Sequence, residues 1–125
     1  MVNKSENSRE RDMAVQLCVE FWKLAKAASK AAMLLDETHG RKLNSQIKFS
    51  ERQLETLAAG LEIKIVDFDG EDFHLGLAAS ADNVDDFEAE TNLIVTKTLE
   101  PAIVSGMSVL KPGRVLVGPK PEIQE

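Results

Sequence analysis

Residues 9–36 contain neither glycine nor proline and are rich in Ala, Leu, Lys and Glu. A stretch of that composition folds as a helix, spanning about 42 Å at 1.5 Å per residue. Apolar or small residues recur at Ala14, Leu17, Phe21, Leu24, Ala28, Ala31 and Leu35. The steps alternate between three and four, which is a heptad seam. The remaining chain is too small to cover a helix of this length. The seam therefore predicts a homodimer through a coiled coil or four-helix bundle, with Leu17, Phe21, Leu24, Ala28 and Leu35 as its dimerisation residues. The plainer alternative is that the stripe faces the chain's own core.

The pattern downstream predicts a second helix and then a sheet. Asp36-Glu37-Thr38-His39-Gly40 reads as the end of the first helix, with Gly40 as a left-handed cap. Leu43, Ile47, Leu54, Leu57 and Ala58 mark the apolar face of the next helix. Ser50-Glu51-Arg52-Gln53 has the form of a capping box, at which that helix would restart, and Gly60 is its stop signal. From Leu61 the period changes to two: Leu61, Ile63 and Ile65 alternate with Glu62 and Lys64, the pattern of a half-buried strand. Asp69-Gly70 is a turn pair. Extended character resumes over residues 73–79 and an acidic connection fills 81–91. Further strands are expected near residues 92–98, 107–110 and 114–118, the last two separated by a Lys-Pro-Gly turn. Ile63, Ile65, Val95, Val109 and Val115 would face inward and Lys97 outward.

The fold class expected is α+β. A frayed segment 1–8 precedes a helical dimerisation region 9–60, then a β-domain 61–118 of four or more short strands and a loose tail 119–125.

A chain of 125 residues holds one domain, or one small domain with an extension. The net charge of −6 is unevenly spread: ten Lys/Arg face eight Asp/Glu in residues 1–60, but five face thirteen in residues 61–125. The acidic half repels phosphate backbones, so nucleic acid is not expected as a partner. A lone cysteine, Cys18, excludes an internal disulfide and suits the cytosol. The charged start of the chain shows no signal peptide. No apolar run approaches the roughly 20 residues of a spanning helix, so no membrane partner is expected. A cytoplasmic protein is the expectation.

Nothing in the chain has the spacing of a catalytic, metal or cofactor site. Asp67-Phe68-Asp69-Gly70-Glu71-Asp72 places its glycine fourth, where a calcium loop needs it sixth. His39, His74 and Cys18 share no metal-ligand spacing. The carboxylates at Asp82, Asp85, Asp86, Glu88 and Glu90 would need a cleft to act as an acid/base pair. The seven glycines form no phosphate-binding motif. No cofactor and no enzymatic activity are expected.

The C-terminal half resembles the β-domain of GrpE-type nucleotide exchange factors, the partners of DnaK-type chaperones. The resemblance lies in Val109-Leu110-Lys111-Pro112-Gly113-Arg114-Val115-Leu116-Val117, similar to the family's terminal Val-Leu-Arg-Pro-Ala-Arg-Val-x-Val. Leu99 and Gly106 resemble the approach to that strand, Leu57-Ala58-Ala59-Gly60-Leu61-Glu62-Ile63 the helix end leading into the first strand, and Gly70-x-x-Phe73 a Gly-x-x-Phe turn. The family's Phe-Asp-Pro-x-x-His-x-Ala becomes Phe73-His74-Leu75-Gly76-Leu77-Ala78, without the Asp-Pro pair. The first helix is also shorter than the family's paired stalk.

The resemblance spans residues 45–118. It implies a homodimer whose β-domains bind the nucleotide-binding domain of a DnaK-type chaperone and promote ADP release, with Met107, Lys111, Arg114 and Phe73 as partner-binding residues. The alternative is a non-catalytic adaptor or oligomerisation subunit of a larger assembly, without exchange activity. A third reading uses the acidic loop 82–90 to occupy a basic site.

Overall fold

The computed structural model describes residues 4–121, with side chains from residue 8 onward. Two antiparallel helices are followed by seven short strands in two sheets, an α+β arrangement. Helix α1 spans Lys4–Ala32 and α2 spans Glu37–Gly60.

The hairpin corner differs from the expectation. Helix α1 ends at Ala32, and Asp36 is the N-cap of α2, its Oδ1 accepting from the His39 backbone N–H at 2.9 Å. Gly40 is therefore not a C-cap but sits in the first turn of α2. A Cβ there would lie 2.8 Å from the Ala32 carbonyl oxygen, so glycine is needed for the close approach of the two helices. Nor does the second helix restart at Ser50: α2 runs unbroken, because no residue there leaves helical geometry. Helix α2 does end at Gly60, its last helical residue. The left-handed residue that follows its C-cap, Leu61, is Glu62 (φ 59°). Its N–H bonds the Ala59 carbonyl and that of Ile63 the Ala58 carbonyl, both at 3.0 Å, the Schellman pattern.

Helix α1 carries two heptad stripes. Arg11, Val15, Cys18, Trp22, Ala25, Ser29 and Ala32 also follow steps of four and three, and all are buried or half-buried. That stripe is the one the chain covers itself. In the stripe picked out from sequence, Ala14, Phe21 and Ala28 are half-buried at its edge, while Leu17, Leu24 and Leu35 are 68%, 68% and 47% exposed.

The strands are β1 (Lys64–Val66), β2 (Asp72–Phe73), β3 (Ala79–Ala81), β4 (Leu93–Glu100), β5 (Ala102–Ser105), β6 (Ser108–Lys111) and β7 (Gly113–Pro119). One sheet has the order β1-β5-β6 and the other β2-β4-β7-β3. Strands β4 and β5 are one path interrupted at Pro101, and β6 and β7 one path interrupted at Pro112. Each path thus leaves one sheet and enters the other, and proline, which gives no ladder N–H, stands at both corners. Lys111-Pro112-Gly113 is consequently a corner between sheets, not a reverse turn between neighbouring strands. Residues 73–79 are not continuously extended either. After Phe73 the chain turns, with the Leu77 N–H bonded to the His74 carbonyl at 3.0 Å.

Two cores result. Val15, Cys18, Val19, Ala58, Ile63 and Ile103 join the helices to the first sheet. Phe68, Leu93, Val95, Ala102, Val115 and Val117 fill the second. Ile63, Val95 and Val115 are buried and Ile65 is half-buried, as their alternation predicts, and Lys97 is exposed. Val109 is 49% exposed, contrary to the alternation argument, because β6 is an edge strand with no layer covering it. Burial raises the thiol pKa of Cys18. Among the described residues, no helix is long and apolar enough to cross a membrane.

Candidate protein-interaction surface

One of the exposed apolar surfaces is the β5–β6 hairpin. Ser105 pairs with Ser108, leaving a two-residue loop of Gly106 and Met107. Of these only Gly106 has positive φ (58°), the signature of a type II′ turn. That loop holds Met107 fully exposed at the tip, while Val109 and Leu110 are 49% and 36% exposed along β6. Leu110 is the extra residue of a β-bulge, since Ile103 pairs with Lys111 and Val104 with Val109, and such a bulge turns side chains out of the regular ladder. An uncovered edge strand of this kind is a surface on which another chain can dock. The hairpin is anchored below its tip by Arg11, which donates to Ser105 Oγ at 2.6 Å, and by Ile103, which is fully buried.

The four partner-binding residues named from sequence are not brought together. Met107 and Lys111 share the hairpin, at its tip and its base. Arg114 lies on β7 and is occupied: it donates to both oxygens of Asp82, at 2.5 and 3.4 Å, and to Glu100 at 3.3 Å. These partners raise its already high pKa, the Asp82 hydrogen bond most. It ties the end of β3 to β4 rather than standing free at a turn. Phe73 pairs with Leu93 at the start of β4, whereas Arg114 pairs with Glu100 at its end. Phe73 is half-buried and packs against the second core.

Sequence reasoning missed Val109 and Leu110 as surface residues. The sequence gives no sign of the β-bulge at Leu110 or of the edge position of β6 that expose them.

The remaining polar clusters are structural. The Asp69 carboxylate accepts from the Thr98 N–H at 2.6 Å and Thr98 Oγ1 accepts from the Phe68 N–H at 3.0 Å, which docks the Asp69-Gly70 turn on β4. His74 Nδ1 accepts from the Gly76 N–H at 3.1 Å. Among the described residues no group of three or more His, Cys, Asp or Glu is placed to hold a metal ion.

Comparison of the chain with family models, with curated proteins and with solved structures finds no match.

Proposed function

We propose that this chain is a GrpE-like nucleotide exchange factor, a cochaperone that promotes ADP release from a DnaK-type chaperone by binding its nucleotide-binding domain. The observation that carries the reading is the β5–β6 hairpin: an apolar, edge-exposed element held on a doubly cored β-unit, in the stretch of sequence that resembles the family. The mechanism needs no catalytic group. A protein that binds the open nucleotide cleft better than the closed one weakens ADP binding by the same factor.

One departure from the family pattern has a packing counterpart. Where the family has alanine, this chain has Gly113, and a Cβ there would lie 2.9 Å from Phe68 Cε2. The Phe68 ring occupies the space of the missing methyl, so the corner between sheets is kept with different atoms. The exposed Leu17 and Leu24 of α1, with Leu35 at the corner between the helices, support a homodimer formed through the helical region. A cytoplasmic location follows from the same reading.

Retention on an immobilised DnaK-type chaperone tests the partner surface. Wild type should be retained. Met107→Asp with Leu110→Asp should bind at least tenfold more weakly, about 1.4 kcal/mol, with unchanged circular dichroism. Equal retention of the double variant would remove the hairpin from the interface. Retention without accelerated ADP release would favour the adaptor alternative.

A further inference from the structure

A second surface lies on the other side of β4. Between α1 and β4 is a cleft of about 570 Å³, lined in part by Trp22, Lys23, Lys26, Lys30, Asp69 and Lys97. In a chain of net charge −6, four amines against one carboxylate is a reversal of sign. Lys23 is engaged, 3.4 Å from Glu20 and 3.3 Å from Glu100. The other three are not: among the described residues no carboxylate oxygen lies within 4.0 Å of the amines of Lys26, Lys30 or Lys97. Asp69 is held by the Thr98 N–H. Lys26 lies 5.3 Å from the centroid of the Trp22 ring, a cation–π arrangement that places the indole beside the amines.

We infer that this cleft binds a short acidic peptide segment of a protein partner. The unpaired Lys26 and Lys30 are separated by about 6 Å along the helix axis at 1.5 Å per residue. An extended peptide presents side chains to one face about every 6.6 Å, so two carboxylates of one short segment span the lysines of α1 while Lys97 meets them from β4. A single small anion would leave most of these amines unused. A nucleic-acid strand would carry its charge beyond the cleft, past Glu20 and Glu100 on its rim. A short acidic segment ends where the lysines end. This surface is separate from the β5–β6 hairpin, and the inference does not rest on the exchange-factor reading.

Trp22 is the only tryptophan of the chain, so its fluorescence reports on the cleft directly. The full chain is titrated with hexaglutamate peptide at low ionic strength, where surface electrostatics are least screened. A saturable change in Trp22 emission is expected, weakening as salt is added. The triple variant Lys26→Gln, Lys30→Gln, Lys97→Gln should bind at least tenfold more weakly. Compared at about 0.1 M salt, where the Debye length falls to about 10 Å and long-range terms are screened, the charge-matched triple variant Lys42→Gln, Lys48→Gln, Lys64→Gln should bind within about twofold of wild type. Lys97→Gln alone, at an exposed strand position, should already weaken binding several-fold, which keeps the test valid if the triple variant is unstable. No saturable change, or equal losses in the two triple variants, overturns the inference. Tighter binding of oligodeoxythymidine than of hexaglutamate overturns it as well, in favour of a phosphate backbone.

Discussion

Glu100 and Lys23 are 77 residues apart in the chain, yet the Glu100 carboxylate lies 3.3 Å from the Lys23 amine. This ion pair joins the end of β4 to the middle of α1, and the other oxygen of Glu100 accepts from Arg114 at 3.3 Å. Burial pushes the Glu100 carboxyl up, but the hydrogen bonds from Lys23 and Arg114 outweigh it and hold the group below its ordinary value. A depressed carboxyl contributes stability above its unfolded pKa and loses it as pH falls through the folded one. Glu100→Gln should therefore lower the urea midpoint at neutral pH, and its deficit should shrink as pH drops below the usual glutamate range. A deficit that stays constant from neutral to acid pH would show that the charge is not what matters.

Glu62 holds a left-handed backbone conformation that L-residues adopt at a cost of about 1–2 kcal/mol. Glycine adopts it freely, with some loss through its greater unfolded-state entropy. Glu62→Gly should stabilise the protein by about 0.5–1 kcal/mol, read as a raised urea midpoint with an unchanged slope. An unchanged or lowered midpoint would mean that the Glu62 side chain contributes more than its backbone costs.

Gly113 is buried, and a Cβ there would lie 2.9 Å from both the Glu100 carbonyl oxygen and Phe68 Cε2. Gly113→Ala should cost about 1–3 kcal/mol through overpacking. Adding Phe68→Leu should make the double variant more stable than the sum of the single losses predicts. Strict additivity in chemical denaturation would place the obstruction in the backbone instead.

How legible the fold was depended on how many faces of an element are buried. Val95 and Val115 could be placed because one face of each strand meets a core and the period of two follows around them, although the ladder shifts register just after Val95. On α1 the heptad rule was right about spacing and incomplete about faces. Val15, Cys18 and Ala32 lie on one stripe and Leu17 and Leu24 on another, and periodicity alone cannot say which of two equally spaced stripes the chain covers itself. Gly40 misled because glycine marks a close approach of backbones as readily as a helix end, and only the Ala32 carbonyl decides between them, whereas Gly60 does stand at the end of α2. Arg114 looked free because its partner Asp82 belongs to a distant acidic stretch, brought to it by the parallel pairing of β3 with β7. The acidic connection is in part structural for the same reason, since the Asn83 side chain bonds both backbone groups of Val117 at 2.9 Å.

The exposed stripe of α1 has a direct test. Leu17→Asp with Leu24→Asp puts charges at two positions that are already 68% exposed, so folding should be unaffected. Light scattering at micromolar concentration should give a dimer for wild type and a monomer for the double variant, because unpaired charges cannot be buried in a helix–helix interface. A monomeric wild type would refute self-association through this face.

The most direct measurement of the central claim is the release of a fluorescent ADP analogue from a DnaK-type chaperone. With wild-type chain added, release should accelerate at least tenfold, equivalent to a barrier to ADP release lowered by about 1.4 kcal/mol. With Met107→Asp and Leu110→Asp in place, the acceleration should disappear while the fold remains. A release rate that wild-type chain leaves unchanged would contradict the exchange-factor account.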